Sequence, residues 1–226
     1  MSLSCGIVGL PNVGKSTLFN ALTAAGAEMG NFPFCTIEPN QAVAEVPDDN
    51  LARLTAHIET EKVIPAVVKV VDIAGLIAGA SKGEGLGNKF LANIRETDAI
   101  LHVVRCFENA QVVREDPVDP KKDIEIIELE LALADLETLQ RAIERVSKKA
   151  RSGDKDSIFE RDLFQRVHDL LEAGEAIRAQ EWKDAERDAL KPLCLMSLKP
   201  VLYIANVADD DLDGDGPHPQ AVAAHA

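Results

Sequence analysis

The chain has 226 residues, 46% of them hydrophobic, enough to bury a core of one or two domains. No apolar run reaches the roughly 18 residues of a membrane span, and Met1-Ser2-Leu3-Ser4 carries no basic leader, so a cytoplasmic protein is expected. A net charge of −14 opposes binding to nucleic acid or membrane through the overall field, although it leaves room for a local basic patch.

Cys5 to Leu10 is a short apolar, β-branched run ended by Pro11 and reads as a buried strand. Lys15 to Ala24 follows as a helix, with Leu18, Phe19 and Leu22 on one side. Gly30, Pro33 and Pro39 make 26–40 a loop. Gln41 to Val46 and Val63 to Ile73 read as the second and third strands. The glycine-rich stretch Gly75 to Gly87 reads as a loop, Asn88 to Glu96 as a helix and Ala99 to Cys106 as a fourth buried strand. Strands alternating with helices and apolar on both faces predict an α/β fold with a mostly parallel sheet.

Past Pro120 the pattern changes. Leu129, Leu133, Leu136, Ile143 and Val146 recur at heptad-like spacing, as do Phe159, Leu163, Val167, Leu170 and Ile177, with Arg151 to Asp154 between the runs. That predicts an antiparallel helical coiled-coil hairpin inserted in the α/β domain. Val201 to Ala205 returns to strand. The expected division is 1–120 for the first part of the nucleotide domain, 121–199 for the hairpin, 200–208 for the returning strand and base motif, and 209–226 for an acidic, disordered tail. In that tail Asp209, Asp211, Asp213 and Gly214 resemble the opening of a calcium loop, but Gln220 replaces the closing glutamate and two prolines intervene. The cysteines form no C-x-x-C pair, and Cys5 and Cys106 read as buried hydrophobes.

The chemistry concentrates at Gly9-Leu10-Pro11-Asn12-Val13-Gly14-Lys15-Ser16, a P-loop with the required strand before it and helix after it. Glycines let the backbone N–H groups turn inward, and a helix N-terminus adds its positive end. Lys15 is expected to reach the β- and γ-phosphates, the Ser16 hydroxyl to ligate Mg²⁺, and Asn12, Val13, Gly14 and Thr17 to complete the cradle. Asp72, closing the third strand in Asp72-Ile73-Ala74-Gly75, is placed to hold the metal through water. Gly75 is placed to offer its N–H to the γ-phosphate. Thr36, in the loop before the second strand, is the candidate for a metal ligand present only with the γ-phosphate, which makes that loop a switch.

These residues, with Asn31 to Asn40, Gly79 to Asn88 and Asn93-Ile94-Arg95-Glu96-Thr97, resemble the YchF subfamily of Obg-like, translation-factor-class P-loop NTPases up to about Asn206. The resemblance implies a Ras-like nucleotide domain, ATP hydrolysis, and binding to the ribosome or its large subunit, with neither membrane nor specific DNA as partner. It also implies a C-terminal TGS domain and a last sheet strand, for which these 226 residues show no motif. After Asp72-x-x-Gly75 many relatives carry a water-orienting glutamine, where this chain has Leu76, in keeping with the subfamily. Arg114 stands where the subfamily often has a histidine proposed as catalytic; it cannot serve as a base but can stabilise phosphoryl charge. Asn12 resembles the asparagine that coordinates K⁺ in cation-activated relatives, so K⁺ is a second candidate ion. His102, amid Leu101 and Val103, reads as a core histidine.

Base recognition falls to Asn206-Val207-Ala208-Asp209, a hybrid of the guanine motif N-K-x-D and the subfamily's N-x-x-E. Adenine offers a carboxylate nothing to accept from its N1, so Asp209 argues for GTP, while Val207 and the resemblance argue for ATP. Three functions follow: a switch ATPase, an Obg-class GTPase, or a module that holds nucleotide with negligible turnover. A dinucleotide oxidoreductase fits poorly, because no G-x-G-x-x-G opens a helix after a strand.

Overall fold

The computed structural model describes residues 2–24, 41–58, 60, 62–73, 86–108 and 117–226. Five strands form one sheet: β1 (Leu3–Val8), β2 (Gln41–Glu45), β3 (Val67–Asp72), β4 (Ala99–Arg105) and β5 (Val201–Asn206), in the order β2-β3-β1-β4-β5. All neighbours are parallel except β2, which runs antiparallel to β3. Parallel pairing requires crossovers: α1 (Lys15–Ala24) follows β1, α3 (Leu86–Arg95) joins β3 to β4, and the helical region 120–198 joins β4 to β5. Ile7, Val8, Val70, Ile100, Val103 and Val104 are all buried, which is why these strands read as unbroken apolar runs.

Several boundaries differ from the sequence reading. β3 begins at Val67; Val63 and Ile64 lie outside it and are exposed, and Pro65, which lacks an N–H donor, stands between them and the strand. A short helix, α2 (Asp49–Thr55), occupies a stretch the sequence left unassigned. Asp48 caps it by accepting the N–H groups of Asn50 and Leu51 at 2.9 and 3.2 Å. None of its described residues is buried, so no apolar periodicity advertises it.

The helical region is built on α4 (Pro120–Ala150) and α5 (Lys155–Glu172), which pack against each other antiparallel across a turn with Gly153 at φ 82°. Asp119 accepts the Lys122 N–H at 3.1 Å and Asp154 the Ser157 N–H at 2.9 Å, capping the two starts. Leu139, Ala142, Val146, Leu163, Phe164, Val167 and Leu171 form the seam. Leu129 and Phe159, read as seam positions, are instead 58% and 43% exposed. The reason is that α4 serves two cores. Its first half packs Ile127, Leu131 and Ala134 against Val71, Phe90, Ile94 and Ile100 of the sheet layer, and only its second half belongs to the hairpin. The border read at 120/121 falls at the first turn of this helix, and it is the helix beyond it that contributes to both cores.

Asp135 marks the handover. Fully buried, it accepts the N–H groups of Met196 and Ser197 at 3.0 and 2.7 Å and lies 3.8 Å from the Arg95 guanidinium. Burial pushes its carboxyl pKa up, while these donors pull it back down. The chain then returns through α6 (Asp184–Leu190) and two short 3₁₀ turns to β5.

The tail expected to be disordered is corrected by the structure. Residues Pro217–His225 form α7, which opens with proline at its first turn and packs Val222, 4% exposed, against Val104, Cys106 and Ile124. Asp211 accepts the Gly216 N–H at 3.1 Å, so one of the aspartates that resembled a calcium loop shapes the approach to that helix. One apolar side chain set in an acidic, alanine-rich stretch is too weak a sequence signal to predict docking.

Candidate functional site: a P-loop at the carboxyl ends of the strands

The site forms where β1 stops at Val8 and the chain turns through Gly9 to Ser16 into α1. In a doubly wound sheet this carboxyl edge is where ligands bind. Val13, 1% exposed, packs with Ile7, Val70 and Val103 and nails the apex of the loop to the core. Around it the backbone takes conformations that demand the motif. Gly9 has φ 153°, and a Cβ there would stand 2.5 Å from the Val103 carbonyl. Gly14 has φ 98°, and a Cβ would collide with the Asn206 amide. Asn12 is left-handed at φ 59°, which asparagine tolerates better than most residues.

Lys15 is only 8% exposed, and its Nζ donates to the Leu10 carbonyl at 2.8 Å, so the ammonium lies along the inside of the loop. Burial lowers its pKa, and the Asp72 charge pulls it back up. The Ser16 hydroxyl donates to Asp72 Oδ2 at 3.0 Å, bringing together residues from α1 and β3 that are 56 positions apart. Ser16, Thr17 and Asn12 are exposed at the mouth. Serine and aspartate side by side present hard oxygen donors, the type Mg²⁺ takes, so the residues present fit that ion.

Asn206, at the end of β5, donates its side-chain N–H to the Val13 carbonyl at 2.9 Å. It thus binds the base strand to the phosphate loop, a link the sequence placed only near the base. Val207 is half-buried against the Val104, Cys106, Ile124 and Val222 cluster, and Asp209 is exposed beyond the strand. Thr36, Gly75, Leu76 and Arg114 lie outside the described residues.

Beneath the loop, His102 is 2% exposed and its ring stacks 5.5 Å from Tyr203. Burial lowers its pKa to about 4, so it is neutral near pH 7. The sequence did not reveal what lies beside it. Tyr203 donates to Glu128 at 2.6 Å, Arg178 pairs with Glu128 at 3.3 Å and donates to Tyr203 at 3.1 Å, and His225 meets the other Glu128 oxygen at 3.3 Å. This network joins β5, at Tyr203 three residues before Asn206, to α4, α7 and the turn at Ile177–Ala179. No motif encodes it, because its members are dispersed from 128 to 225. A separate cavity of ≈ 500 Å³, lined by Asp98, Arg178, Trp182, Arg187 and Lys199 among others, reaches the amino ends of β4 and β5 and offers no phosphate cradle.

A P-loop on this sheet, with serine and aspartate paired at its mouth, defines a P-loop nucleotide-binding domain. A family model described as a 50S ribosome-binding GTPase matches residues 4–149, more than half of the chain, and the chain belongs to that family. Within it the likeness is to YchF. The chain is 56% identical to the ribosome-binding ATPase YchF of Haemophilus ducreyi over 95% of its own length and 60% of the relative's. Against the protein of that name from Bacillus subtilis it is 51% identical over 94% of the chain and 58% of the relative. The solved structure of the Schizosaccharomyces pombe YchF GTPase superposes with a TM-score of 0.84 at 36% identity, covering 99% of this chain and 61% of that one. The chain thus spans about 60% of the length of these relatives. Among the described residues no helix is long and apolar enough to cross a membrane.

Proposed function

We propose that this chain binds ATP with Mg²⁺ at Gly9–Ser16, hydrolyses its γ-phosphate, and works as a nucleotide-dependent switch on the ribosome. The observation that carries this reading is the triad of Lys15, Ser16 and Asp72 gathered at one loop mouth. In the bound state Lys15 exchanges the Leu10 carbonyl for phosphate oxygens, a move of one flexible side chain. Ser16 and Asp72 are the side chains that would hold the ion. Mg²⁺, when bound, neutralises charge that develops on the phosphates. The loop N–H groups and the start of α1 bind the rest. Thr36 and Gly75 are assigned to the γ-phosphate side and Arg114 to phosphoryl charge. With Leu76 unable to orient water, turnover is slow until a partner supplies that group. K⁺ beside Asn12 is a further candidate ion.

ATP is favoured by Val207, whose side chain packs toward α7 and leaves the ring face that a lysine stem covers in guanine-specific relatives, and by Asp209, which is exposed. GTP is the second reading, because Asp209 is the guanine-type residue and the fission-yeast relative is described as a GTPase. The ribosome enters through the names of the bacterial relatives. Titration calorimetry with Mg²⁺ separates the nucleotides: tighter ATP is expected, and tighter GTP would place Asp209 in the base pocket. Lys15→Ala should lower single-turnover hydrolysis by about a hundredfold or more, since one preorganised phosphate-side charge is worth that much. An unchanged rate would remove the P-loop from the chemistry.

A further inference from the structure

Asn206 holds the phosphate loop, but the sheet grips Asn206 from one side only. Among the described strands β5 pairs with β4 alone, so one row of its backbone groups has no strand opposite. Its faces supply what the missing neighbour does not. Side chains alternate along a strand, so Tyr203 and Asn206, three positions apart, stand on opposite faces of β5. On one face the Tyr203 hydroxyl donates to Glu128 Oε1 on α4 at 2.6 Å and accepts from Arg178 at 3.1 Å. Arg178 lies 3.3 Å from the same carboxylate oxygen, which closes a half-buried triangle of three groups. A phenol bonded to an ionised carboxylate at this distance belongs to the stronger class of hydrogen bond. On the other face the Asn206 amide donates to the Val13 carbonyl at 2.9 Å, and a Cβ on Gly14 would collide with that same nitrogen. β5 is thus clamped between α4 and the phosphate loop. Buried His102, beside Tyr203 on β4, feels the charges of Glu128, Arg178 and His225 and also that of Lys15, so clamp and phosphate lysine share one neighbourhood.

We infer that Tyr203 and Glu128 are positioning residues for nucleotide binding: their hydrogen bond holds β5 at the height at which Asn206 closes on the Val13 carbonyl and shapes the phosphate loop. Both act through Asn206, from the side of the strand that faces away from the loop. Glu128 belongs to α4 and Arg178 to the turn at Ile177–Ala179, so the helical region acts on the loop through β5. A shift of α4 against the sheet moves Tyr203, and a shift of β5 either stretches the Asn206 bond or presses its amide onto Gly14. By linkage, nucleotide on the loop also steadies the contact between β5 and α4. The inference rests on the nucleotide reading above and adds to it the residues that set its affinity.

The test is a double-mutant cycle on the full chain, read by calorimetric titration with Mg²⁺-ATP, or with Mg²⁺-GTP if the parent chain binds only that. Tyr203→Phe keeps the ring against His102 and His225 and removes the hydroxyl alone. It should weaken nucleotide binding about threefold, and Asn206→Ala about fivefold. The double variant should also lose about fivefold, because without Asn206 the tyrosine has nothing left to position; independent effects would multiply to about fifteenfold. Urea unfolding of the same variants should be additive, since Tyr203 and Asn206 share no partner. Glu128→Ala should match Tyr203→Phe. Glu128→Gln, whose amide oxygen still accepts the phenol, should return affinity to within about twofold of the parent. A fifteenfold loss in the double variant overturns the inference and leaves the nucleotide reading intact. So does a Tyr203→Phe chain that binds like the parent, or a Glu128→Gln chain no better than Glu128→Ala. A parent chain that binds neither nucleotide overturns that reading, and this inference with it.

Discussion

His102 is neutral in the folded chain because a charged imidazole would sit in the core between Tyr203 and the underside of the P-loop. Its folded pKa of about 4 lies below its unfolded value near 6.5. Between those values the unfolded chain takes up a proton that the folded chain refuses, so stability is lost as pH falls through that window. The shift corresponds to about 3 kcal/mol at its full extent. Urea midpoints of the parent chain should drop from pH 6.5 to 4 more steeply than those of His102→Asn, and parallel curves would show that burial does not suppress its proton. Asn206 carries the second prediction at this scale. Its amide is the bond from β5 to the Val13 carbonyl, so Asn206→Ala leaves the apex of the loop tethered only by the packing of Val13. Losing one such hydrogen bond costs about 1 kcal/mol, so ATP affinity should fall about fivefold, read by calorimetry. An unaltered affinity would mean the loop holds its shape without β5.

Among the elements, α7 separates two pictures of the same residues. As a disordered acidic tail it would tolerate any substitution; as a packed helix it keeps Val222 against Val104, Cys106 and Ile124, and His225 against Glu128. Val222→Asp places a carboxylate in that apolar seat and should destabilise the chain by at least about 2 kcal/mol in urea unfolding. Exposed Ala224→Asp in the same helix should change little. Equal, negligible effects would return the segment to the disordered reading. The hairpin shows the same dependence on packing. Heptad spacing finds two antiparallel helices but assigns Leu129 and Phe159 to the seam, because it assumes one partner for the whole of α4. The sheet takes the first half of that helix, and the apolar stripe turns with it.

Across the whole molecule, this sharing of α4 decides cooperativity. Sheet and hairpin have separate cores tied together by one helix, whose Ile127, Leu131 and Ala134 face the sheet while its Leu139, Ala142 and Val146 face α5. Trp182, the sole tryptophan, lies on the helical side, where Arg166 stacks 4.8 Å above its ring. Its fluorescence should unfold at the same urea concentration as far-UV circular dichroism, in one transition. Mg²⁺-ATP at about a hundred times its dissociation constant should move the tryptophan signal by about 2.7 kcal/mol, although Trp182 lies outside the P-loop. A tryptophan transition that ignores nucleotide would mean the hairpin unfolds by itself. β5 is a sheet edge, with Leu202 61% exposed, so self-association at high concentration is the hazard that accompanies this measurement.

The P-loop was legible in the sequence because it is contiguous: Gly9 to Ser16 encodes its turn, its anion cradle and its lysine within eight residues. The buried strands were legible for a related reason, since burial on both faces writes itself as an unbroken apolar run. What only the tertiary structure decided involves residues that meet across long stretches of chain. Ser16 meets Asp72, Asn206 meets Val13, and Glu128 gathers Tyr203, Arg178 and His225. No local period records such pairings, because each is set by which strand lies beside which and by which helix covers them. The tail became a helix, and α4 a member of two cores, for that same reason: marginal local propensity yields to the apolar surface a neighbour happens to offer.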